Sequence, residues 1–366
     1  MKALPFSILT LSLLLTGEAA TADINLKADL RFRTENIKEE QLAPLKDSDR
    51  TRQRIRMRLT ASGKVNETTD AVVRVSTGST LNTDSTTTNQ DLTDYYAKKN
   101  LVIDMAYFNW KASETILIMG GKTPIPFYLA GGSDLIFDAD LTPEGLSLKY
   151  LKKIDGGTEL FFNTSGTWLQ ERFSATGATD NTDVGLIGAQ IGAIYKADTW
   201  NAILALAAYN ISNIKGATAP AAKGNTLIAG AYAREYKLTS IGLELGTTFE
   251  EMPLSVFTET VTNSEGGDYK NGVIYGVKLG KLKEKGNWAL CIDDRELEKD
   301  AVVGVLTDAD SSGGGTDMHS TRVSGGYVVA DNANISATFY YGRKALASPA
   351  ASPAYNKAQL DFNFAF

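Results

Sequence analysis

The sequence has almost none of the residues on which metal sites and disulfide bonds depend. Of its 366 residues, one is a cysteine and one is a histidine. A single thiol, Cys291, cannot form a disulfide bond within the chain, and Cys-ligated metal sites are excluded. Because His319 is the sole imidazole, His-ligated metal sites and conventional catalytic triads are disfavoured. We therefore expect no cofactor and no enzymatic reaction.

Long hydrophobic runs and excess positive charge are also missing. Beyond the N-terminal segment, no stretch stays apolar for the ~18 residues that a membrane-spanning helix needs. The net charge of −6 argues against nucleic acid as a partner. The chain instead contains 33 glycines and abundant threonine, serine and asparagine, a composition typical of strands and loops.

The N-terminus has the features of a secretory signal peptide. A positively charged start precedes the mostly apolar stretch Leu4–Leu15, and Ala20 and Ala22 fit a small-x-small cleavage site. The apolar stretch is too short to span a bilayer as a helix. We predict a signal peptide over residues 1–22 and one domain over residues 23–366. Cleavage two or three residues earlier, or a buried N-terminal helix, are the alternatives.

The last eight residues alternate with a period of two, as a β-strand does. One face consists of Leu360, Phe362, Phe364 and Phe366, and the other of Gln359, Asp361, Asn363 and Ala365. A soluble protein gains little from an exposed terminal phenylalanine, whereas a transmembrane β-barrel gains a closing strand with an interfacial aromatic residue. The four apolar residues resemble the C-terminal signature of bacterial outer-membrane proteins, which implies recognition by the barrel-assembly machinery.

Similar alternating segments, separated by turn residues, predict about 16 strands along the chain. They span roughly 24–35, 50–62, 69–78, 101–111, 114–121, 144–152, 157–168, 184–196, 199–211, 234–249, 254–263, 271–282, 286–296, 320–331, 333–343 and 355–366. Short turns alternate with long connections, as in bacterial barrels with periplasmic turns and extracellular loops. We predict an all-β fold, a transmembrane antiparallel β-barrel of the bacterial outer membrane. Fourteen or eighteen strands remain open.

The first two predicted strands place arginines on one face. These residues are Arg31, Arg33, Arg52, Arg54, Arg56 and Arg58. An arginine on the lipid face costs roughly 2–4 kcal/mol at the membrane midplane, so the six side chains are predicted to face the lumen. A barrel of this size leaves an aqueous channel, so we interpret them as a pore wall that attracts anions. A packed ion-pair network that plugs the lumen is the alternative.

The connection 122–143 is long but unusually apolar for an external loop. This composition predicts that it packs against another surface, and folding into the barrel is favoured over packing on the rim or at a subunit contact. Its acidic residues, together with the first residue of the next strand, are Asp134, Asp138, Asp140 and Glu144. Opposite a basic wall, these carboxylates would create an electric field across a constriction, and clusters of charge select among ions.

This stretch also resembles the putative porin family of Gram-negative bacteria. The resemblance rests on Gly-Lys-x-Pro-x-Pro-Phe from Gly121, on Asp-Leu-Ile-Phe-Asp-Ala-Asp-Leu-Thr-Pro-Glu-Gly from Asp134, and on segments 297–303 and 307–317. It covers most of the mature chain, although Ala309 stands where a serine is expected. The resemblance implies a barrel for passive solute entry and assigns no pore residues.

Three other loops receive simpler interpretations. Loops 79–100 and 212–233 are polar or rich in small residues and are predicted to be mobile. Asp308, Asp310 and Asp317 lie in a glycine-rich loop, which we interpret as a polar external turn, with Ca²⁺ binding as the alternative.

The sequence therefore predicts an outer-membrane porin that passes small hydrophilic solutes and ions by diffusion. Membrane lipid and lipopolysaccharide are its expected surroundings, and a homotrimer is a candidate assembly. The alternatives are an anion-specific channel and a closed or plugged barrel that serves as a structural protein or adhesin.

Overall fold

The structure is a computed structural model that describes residues 24–41, 46–93, 95–173, 182–348 and 352–366. The predicted signal peptide, residues 1–22, lies outside the described residues. Nowhere in the described part of the chain is there a helix with the length and hydrophobicity needed to cross a bilayer.

The described residues form nineteen strands, of which three are only two residues long. The strands are β1 (Asn25–Glu39), β2 (Ser48–Lys64), β3 (Thr69–Thr77), β4 (Gln90–Asp91), β5 (Leu101–Lys111), β6 (Ile116–Lys122), β7 (Glu144–Lys153), β8 (Thr158–Gln170), β9 (Val184–Lys196), β10 (Trp200–Ser212), β11 (Leu227–Ile228), β12 (Ala231–Tyr232), β13 (Tyr236–Phe249), β14 (Met252–Asn263), β15 (Asn271–Gly280), β16 (Trp288–Leu297), β17 (Met318–Ala330), β18 (Ala333–Lys344) and β19 (Ala354–Ala365). Two single-turn 3₁₀ helices, Ala130–Gly132 and Ser311–Gly313, lie in connections.

The long strands close into an antiparallel barrel. Each pairs with the long strand that precedes it and the one that follows it, and β1 also pairs with β19. Nineteen strands less the three short ones leave sixteen, so the predicted fold class and strand number are confirmed. The two-residue β4 lies beside β2, and β11 pairs with β12 in a separate small hairpin.

The barrel wall is apolar outside because its strands alternate. In β10, Leu204 and Leu206 are exposed on the outer face, while Ala205 and Ala207 are buried on the inner face. The closing strand β19 follows the same rule, since Leu360 points outward and Asp361 forms an ion pair inside with Arg33. Such alternation suits a wall with lipid on one side and polar groups or packed loops on the other.

The apolar core lies inside the barrel and occupies one side of it. Loops 123–143, 213–235 and 298–317 pack there against the inner faces of β9, β10 and β13–β17. The expectation that loop 212–233 stays unpacked is wrong, because Ile214 and Tyr232 are 3% and 4% exposed. Small inner residues such as Ala205 and Ala207 leave the space that these loops fill.

Candidate functional site

The basic wall of the lumen is set by the pairing of β1 with β2. In this register Arg31 lies opposite Arg56, and Arg33 lies opposite Arg54. Paired residues of antiparallel strands point to the same face, so the arginines of both strands converge on one patch of the inner wall. The patch also contains carboxylates, because Asp29 is paired with Arg58 and Glu35 with Arg52 in the same register.

Most of these arginines have close acidic partners. Arg33 holds the Asp361 carboxylate with two N–H groups, at 2.6 and 2.7 Å, and is itself buried. The Glu35 carboxylate lies 2.5 Å from the Arg52 Nε. Part of the wall is therefore an ion-pair network that spans the β19–β1–β2 junction, including the point where the barrel closes.

The connection between β3 and β5 contributes to the same wall. Its short strand β4 brings Asp91 within 2.9 Å of the Arg54 Nε and 2.8 Å of the Arg50 guanidinium. The Asn89 side-chain oxygen accepts a hydrogen bond of 2.7 Å from Arg31. This polar loop, which was predicted to be mobile, is thus fixed at its C-terminal half by contacts with the arginines.

Loop 123–143 lies in the lumen, where its apolar residues anchor it to the opposite inner wall. Leu135 and Ile136 are 0% and 2% exposed. Gly131, at φ +60, sits against the ring of Phe257, where any side chain would collide with that ring. The backbone of Tyr128 exchanges two hydrogen bonds of 2.8 Å with the Gln190 amide. These contacts fix the loop in the interior of the barrel.

Polar contacts reinforce this anchoring. The Tyr128 hydroxyl donates a hydrogen bond of 2.7 Å to Glu244 on β13. Ser133 donates to Glu259 on β14, and the Lys278 ammonium of β15 donates to the Gly131 carbonyl. The loop is therefore held by three successive strands of the far wall.

Asp134, Asp138 and Asp140 lie on the side of this loop that faces the basic wall. All three line a charged cavity. Glu144 is placed differently, because it begins β7 on the barrel wall, is exposed, and forms a 2.7 Å ion pair with Lys122. The structure therefore groups three of the four predicted carboxylates and separates the fourth.

A second loop, residues 298–317, also enters the lumen, so the interpretation of this segment as an external turn is wrong. The Asp308 carboxylate lies 2.9 Å from Arg295 of β16, whose side chain is 1% exposed. The Asp310 carboxylate lies 2.7 Å from Lys357 and 3.3 Å from Arg33. Loop 298–317 therefore adds the carboxylates of Asp308 and Asp310 to the site, where they were not expected.

The two lumenal loops contact each other directly. The Thr307 hydroxyl donates to the Leu135 carbonyl at 2.9 Å, and the Ala309 N–H donates to the Asp138 carboxylate at 3.0 Å. Within loop 298–317, the apolar run Ala301–Val303 is buried in the core cluster. This apolar run is the sequence feature that could have predicted the burial of loop 298–317, because apolar content was the reason for predicting that loop 122–143 packs against another surface.

Between the walls lies a cavity of about 640 Å³. Its basic side chains come from β1, β2 and β17–β19 and from loop 213–235, and most of its acidic ones come from the two lumenal loops. The lining includes Arg31, Arg52, Arg54, Arg56, Lys223, Arg322, Lys357, Asp134, Asp138, Asp140, Asp308 and Asp310. Arg33 and Arg58, whose guanidinium groups contact Asp361 and Asp29, are not in this lining.

Crowding of the carboxylates changes their ionisation. Burial, with repulsion from Asp134 and Asp308, raises the pKa of Asp138 to about 9. Burial and repulsion from Asp308 raise the pKa of Asp134 to about 7, although Arg295 and Arg322 act against this increase. Near neutral pH the acidic wall therefore holds fewer negative charges than its composition suggests.

No set of three His, Cys, Asp or Glu side chains is arranged to hold a metal ion among the residues that the structure describes. The arrangement instead brings a basic wall and an acidic wall to the two sides of one polar cavity. Charged groups of both signs in a lumen can attract small ions and orient polar solutes that enter it.

The family model described as "Putative porin" matches residues 19–238 and 246–366, which is nearly the whole chain. No curated protein is similar enough to the chain to count as a match.

Solved structures share the fold with little sequence identity. OprB of Pseudomonas putida is 10% identical, with a TM-score of 0.59 and 94% of each chain covered. A mutant porin of Rh. blastica is 12% identical, with a TM-score of 0.52, and the match covers 94% of this chain and 100% of that one. OmpT, an outer membrane protein of Vibrio cholerae, is 12% identical, with a TM-score of 0.52 and coverage of 95% and 99%. At such identities the likeness supports the barrel fold alone.

Proposed function

This chain belongs to the putative porin family of bacterial outer-membrane channels, and from that premise we propose that small hydrophilic solutes and ions diffuse passively through its barrel. The observation that supports this proposal is the cavity of about 640 Å³ between oppositely charged walls inside the barrel. Charged groups are costly to dehydrate completely, so a cavity lined by them favours water over close packing. No cofactor or chemical reaction forms part of the proposal.

Each wall has a proposed role. We propose that the arginines of β1 and β2 line the path and attract anions. Some would contact the anions, and others would hold neighbouring side chains in position. These arginines are Arg31, Arg33, Arg52, Arg54, Arg56 and Arg58. We propose that Asp134, Asp138 and Asp140 narrow the path from the other side, and that Asp308 and Asp310 extend their wall. Glu144 is left out of this role because it lies on the barrel wall beside Lys122.

The remaining proposals concern export and assembly. Residues 1–22 serve as the cleaved signal peptide, and residues 23–366 form the barrel. Leu360, Phe362 and Phe364 on the outer face of β19, with Phe366 directly after the strand, provide the signal for the barrel-assembly machinery. Lipid and lipopolysaccharide surround the outer face. The proposed assembly is a homotrimer, which chemical crosslinking in outer membranes would test.

A plugged barrel is the second candidate, and one observation favours it. Three loops fill one side of the lumen with apolar side chains, of which Leu135, Val302 and Ala301 are fully or almost fully buried. In that case the charged groups would serve as an internal ion-pair network, and the protein would have a structural or adhesive role.

Planar-bilayer recording of the refolded mature chain separates the two candidates. We expect stepwise ohmic currents, as a water-filled path predicts. A protein that shows the gel-mobility shift of a folded barrel but inserts without current steps would contradict the proposed diffusion and favour the plug. Detergent and refolding buffer without protein provide the control.

A further inference from the structure

The arginines of the basic wall are neutralised unevenly. Arg33 has both oxygens of the Asp361 carboxylate and two further carboxylates, Asp310 at 3.3 Å and Glu35 at 3.4 Å. Arg52 has Glu35 at 2.5 Å, and Arg54 has Asp91 at 2.9 Å. The guanidinium groups of Arg33, Arg52 and Arg54 therefore each have a close carboxylate supplied by this chain.

Among the described residues, Arg31, Arg56 and Arg58 have one close carboxylate between them, that of Asp29, which contacts Arg56 and Arg58. Asp29 accepts from both Arg56 and Arg58, at 2.9 and 2.8 Å. Of the acidic oxygens in the described ranges, the one nearest to Arg31 belongs to Asp361, at 3.9 Å, and that carboxylate is already held by Arg33. This part of the wall therefore has an excess of positive charge.

Arg31 is the least compensated of the three. Its short hydrogen bond goes to the uncharged amide oxygen of Asn89, at 2.7 Å. Its buried Nε has no hydrogen-bond partner within the described part of the chain. A buried N–H of a charged group without a partner is costly, and on this wall the Nε of Arg54 shares that status although Asp91 is close to it.

The position of Arg31 makes it accessible to a small ligand. Arg31 and Arg56 are direct cross-strand neighbours, and both line the charged cavity. A planar guanidinium can donate two parallel hydrogen bonds to the oxygens of a carboxylate or a phosphate. Space for a small group is provided by the cavity itself, which Asp140 lines from the loop opposite the two arginines.

We propose that Arg31 and Arg56 form a subsite that binds one small oxyanion group, a carboxylate or phosphate, on a solute passing through the barrel. This inference rests on the proposed function, because the ligand must reach the cavity through water. One anionic group suits the site, since Asp29 already balances part of the charge and Asp140 would repel a second one. Weak binding of this kind concentrates a solute in the path and still allows it to leave.

The test is block of the chloride current by inorganic phosphate or by succinate in planar bilayers at constant ionic strength. We expect both anions to reduce the current of the native chain in a saturable manner. Arg31→Gln with Arg56→Gln should weaken the block about tenfold or more, because the charge and the paired donors are lost. Arg343→Gln removes an exposed arginine of the outer face and should leave the block unchanged.

A second variant keeps the test decisive if the double variant fails to fold. Arg31→Lys preserves the charge but not the fork of donors, so it should weaken the block severalfold while the current steps persist. Normal current steps that neither anion reduces would overturn the subsite and leave the channel intact. Absence of any steps would instead contradict the proposed function. An equal block in the native chain and in Arg31→Lys with Arg56→Gln would also overturn the subsite.

Discussion

The two sides of the barrel lumen differ in how they are filled. Against the inner faces of β9, β10 and β13–β17, three loops form an apolar cluster in which Leu135 and Val302 are completely buried. Against β1 and β2, the lumen is lined by arginines and carboxylates around a cavity of about 640 Å³. The same barrel thus has a packed side and a charged side, and the loops of the packed side also line a second cavity of about 960 Å³.

This difference shows how loops can narrow the lumen of a wide barrel from one side. Apolar packing fixes the position of loops 123–143 and 298–317, since burial of apolar surface is favourable wherever the surfaces fit. Charged walls resist further packing because each charge needs a partner or water. Arg295, which is 1% exposed, lies at the boundary and ties the second loop to the wall through Asp308.

The largest effect should come from a charge placed in the packed side. Leu135→Asp would bury a carboxylate at a position with no exposure, so loop 123–143 should leave its site. We expect single-channel conductance to rise about twofold or more, because the lumen widens when the loop leaves it. Val65→Asp, at a 63% exposed position in the turn between β2 and β3, is the control and should change conductance little. An unchanged conductance in a folded Leu135→Asp barrel would show that the loop does not narrow the path.

The boundary between the two sides gives the next largest effect. Arg295→Leu leaves Asp308 and Asp293 buried beside an apolar side chain, which should cost about 3–5 kcal/mol in unfolding free energy. Thermal unfolding in detergent measures this loss, and the open-channel current should become noisier as loop 298–317 detaches. Arg343→Leu, on an exposed outer position, is the control.

A rescue variant checks the cause of that loss. Arg295→Leu combined with Asp308→Leu removes both charges of the closest pair, and replacement of both partners is far less costly than removal of one. We expect the double variant to recover part of the unfolding temperature. A double variant less stable than Arg295→Leu would contradict the assignment of Arg295 as the partner that neutralises Asp308.

Charge reversal on the charged side should change the ion selectivity of the channel. Arg54→Glu with Arg56→Glu reverses two cavity-lining charges, so the reversal potential in a salt gradient should shift toward cations. Lys153→Glu with Arg343→Glu changes the net charge equally at exposed positions outside the cavity and serves as the control. If both double variants shift the reversal potential equally, the arginines of β2 do not line the conducting path.

The wall and its orientation could be predicted from the sequence because local rules govern them. The alternation of Arg52 to Arg58 with apolar residues leaves one acceptable register, since arginine in lipid is costly. The apolar content of loop 122–143 likewise indicated that it needed a packing surface. The confirmed fold class and strand number follow from such short-range patterns.

The second lumenal loop was missed because its burial depends on distant partners. Its apolar run Ala301–Val303 is short, and its neighbours are glycines and aspartates that suit an external turn equally well. What holds it inside is contact with Leu135 and Asp138, more than 160 residues earlier in the chain, and with Lys357 of the closing strand. The same holds for the pairing of Arg33 with Asp361, since only barrel closure brings β1 beside β19.

The smallest expected effect is a dependence of selectivity on pH that the acidic wall confers. Burial and neighbouring carboxylates raise the pKa of Asp134 to about 7 and that of Asp138 to about 9. Both groups are neutral below their pKa and become negative as the pH rises through it. The reversal potential should therefore shift toward cations in two steps, near pH 7 and near pH 9.

Two variants separate this effect from the titration of a nearby lysine. The pKa of Lys223, which also lines the cavity, is lowered by burial, and its loss of charge at high pH would shift selectivity in the same direction. Asp134→Asn with Asp138→Asn should make the reversal potential nearly independent of pH. Lys223→Gln should shift the reversal potential by the same amount at every pH and preserve both steps. A profile that the Lys223→Gln variant flattens and the asparagine variant leaves intact would transfer the pH dependence from the acidic wall to the lysine. In that event the carboxylates of loop 123–143 would have only a structural role, at the boundary between the packed and charged sides. The electric field across the cavity would then come from the basic wall alone.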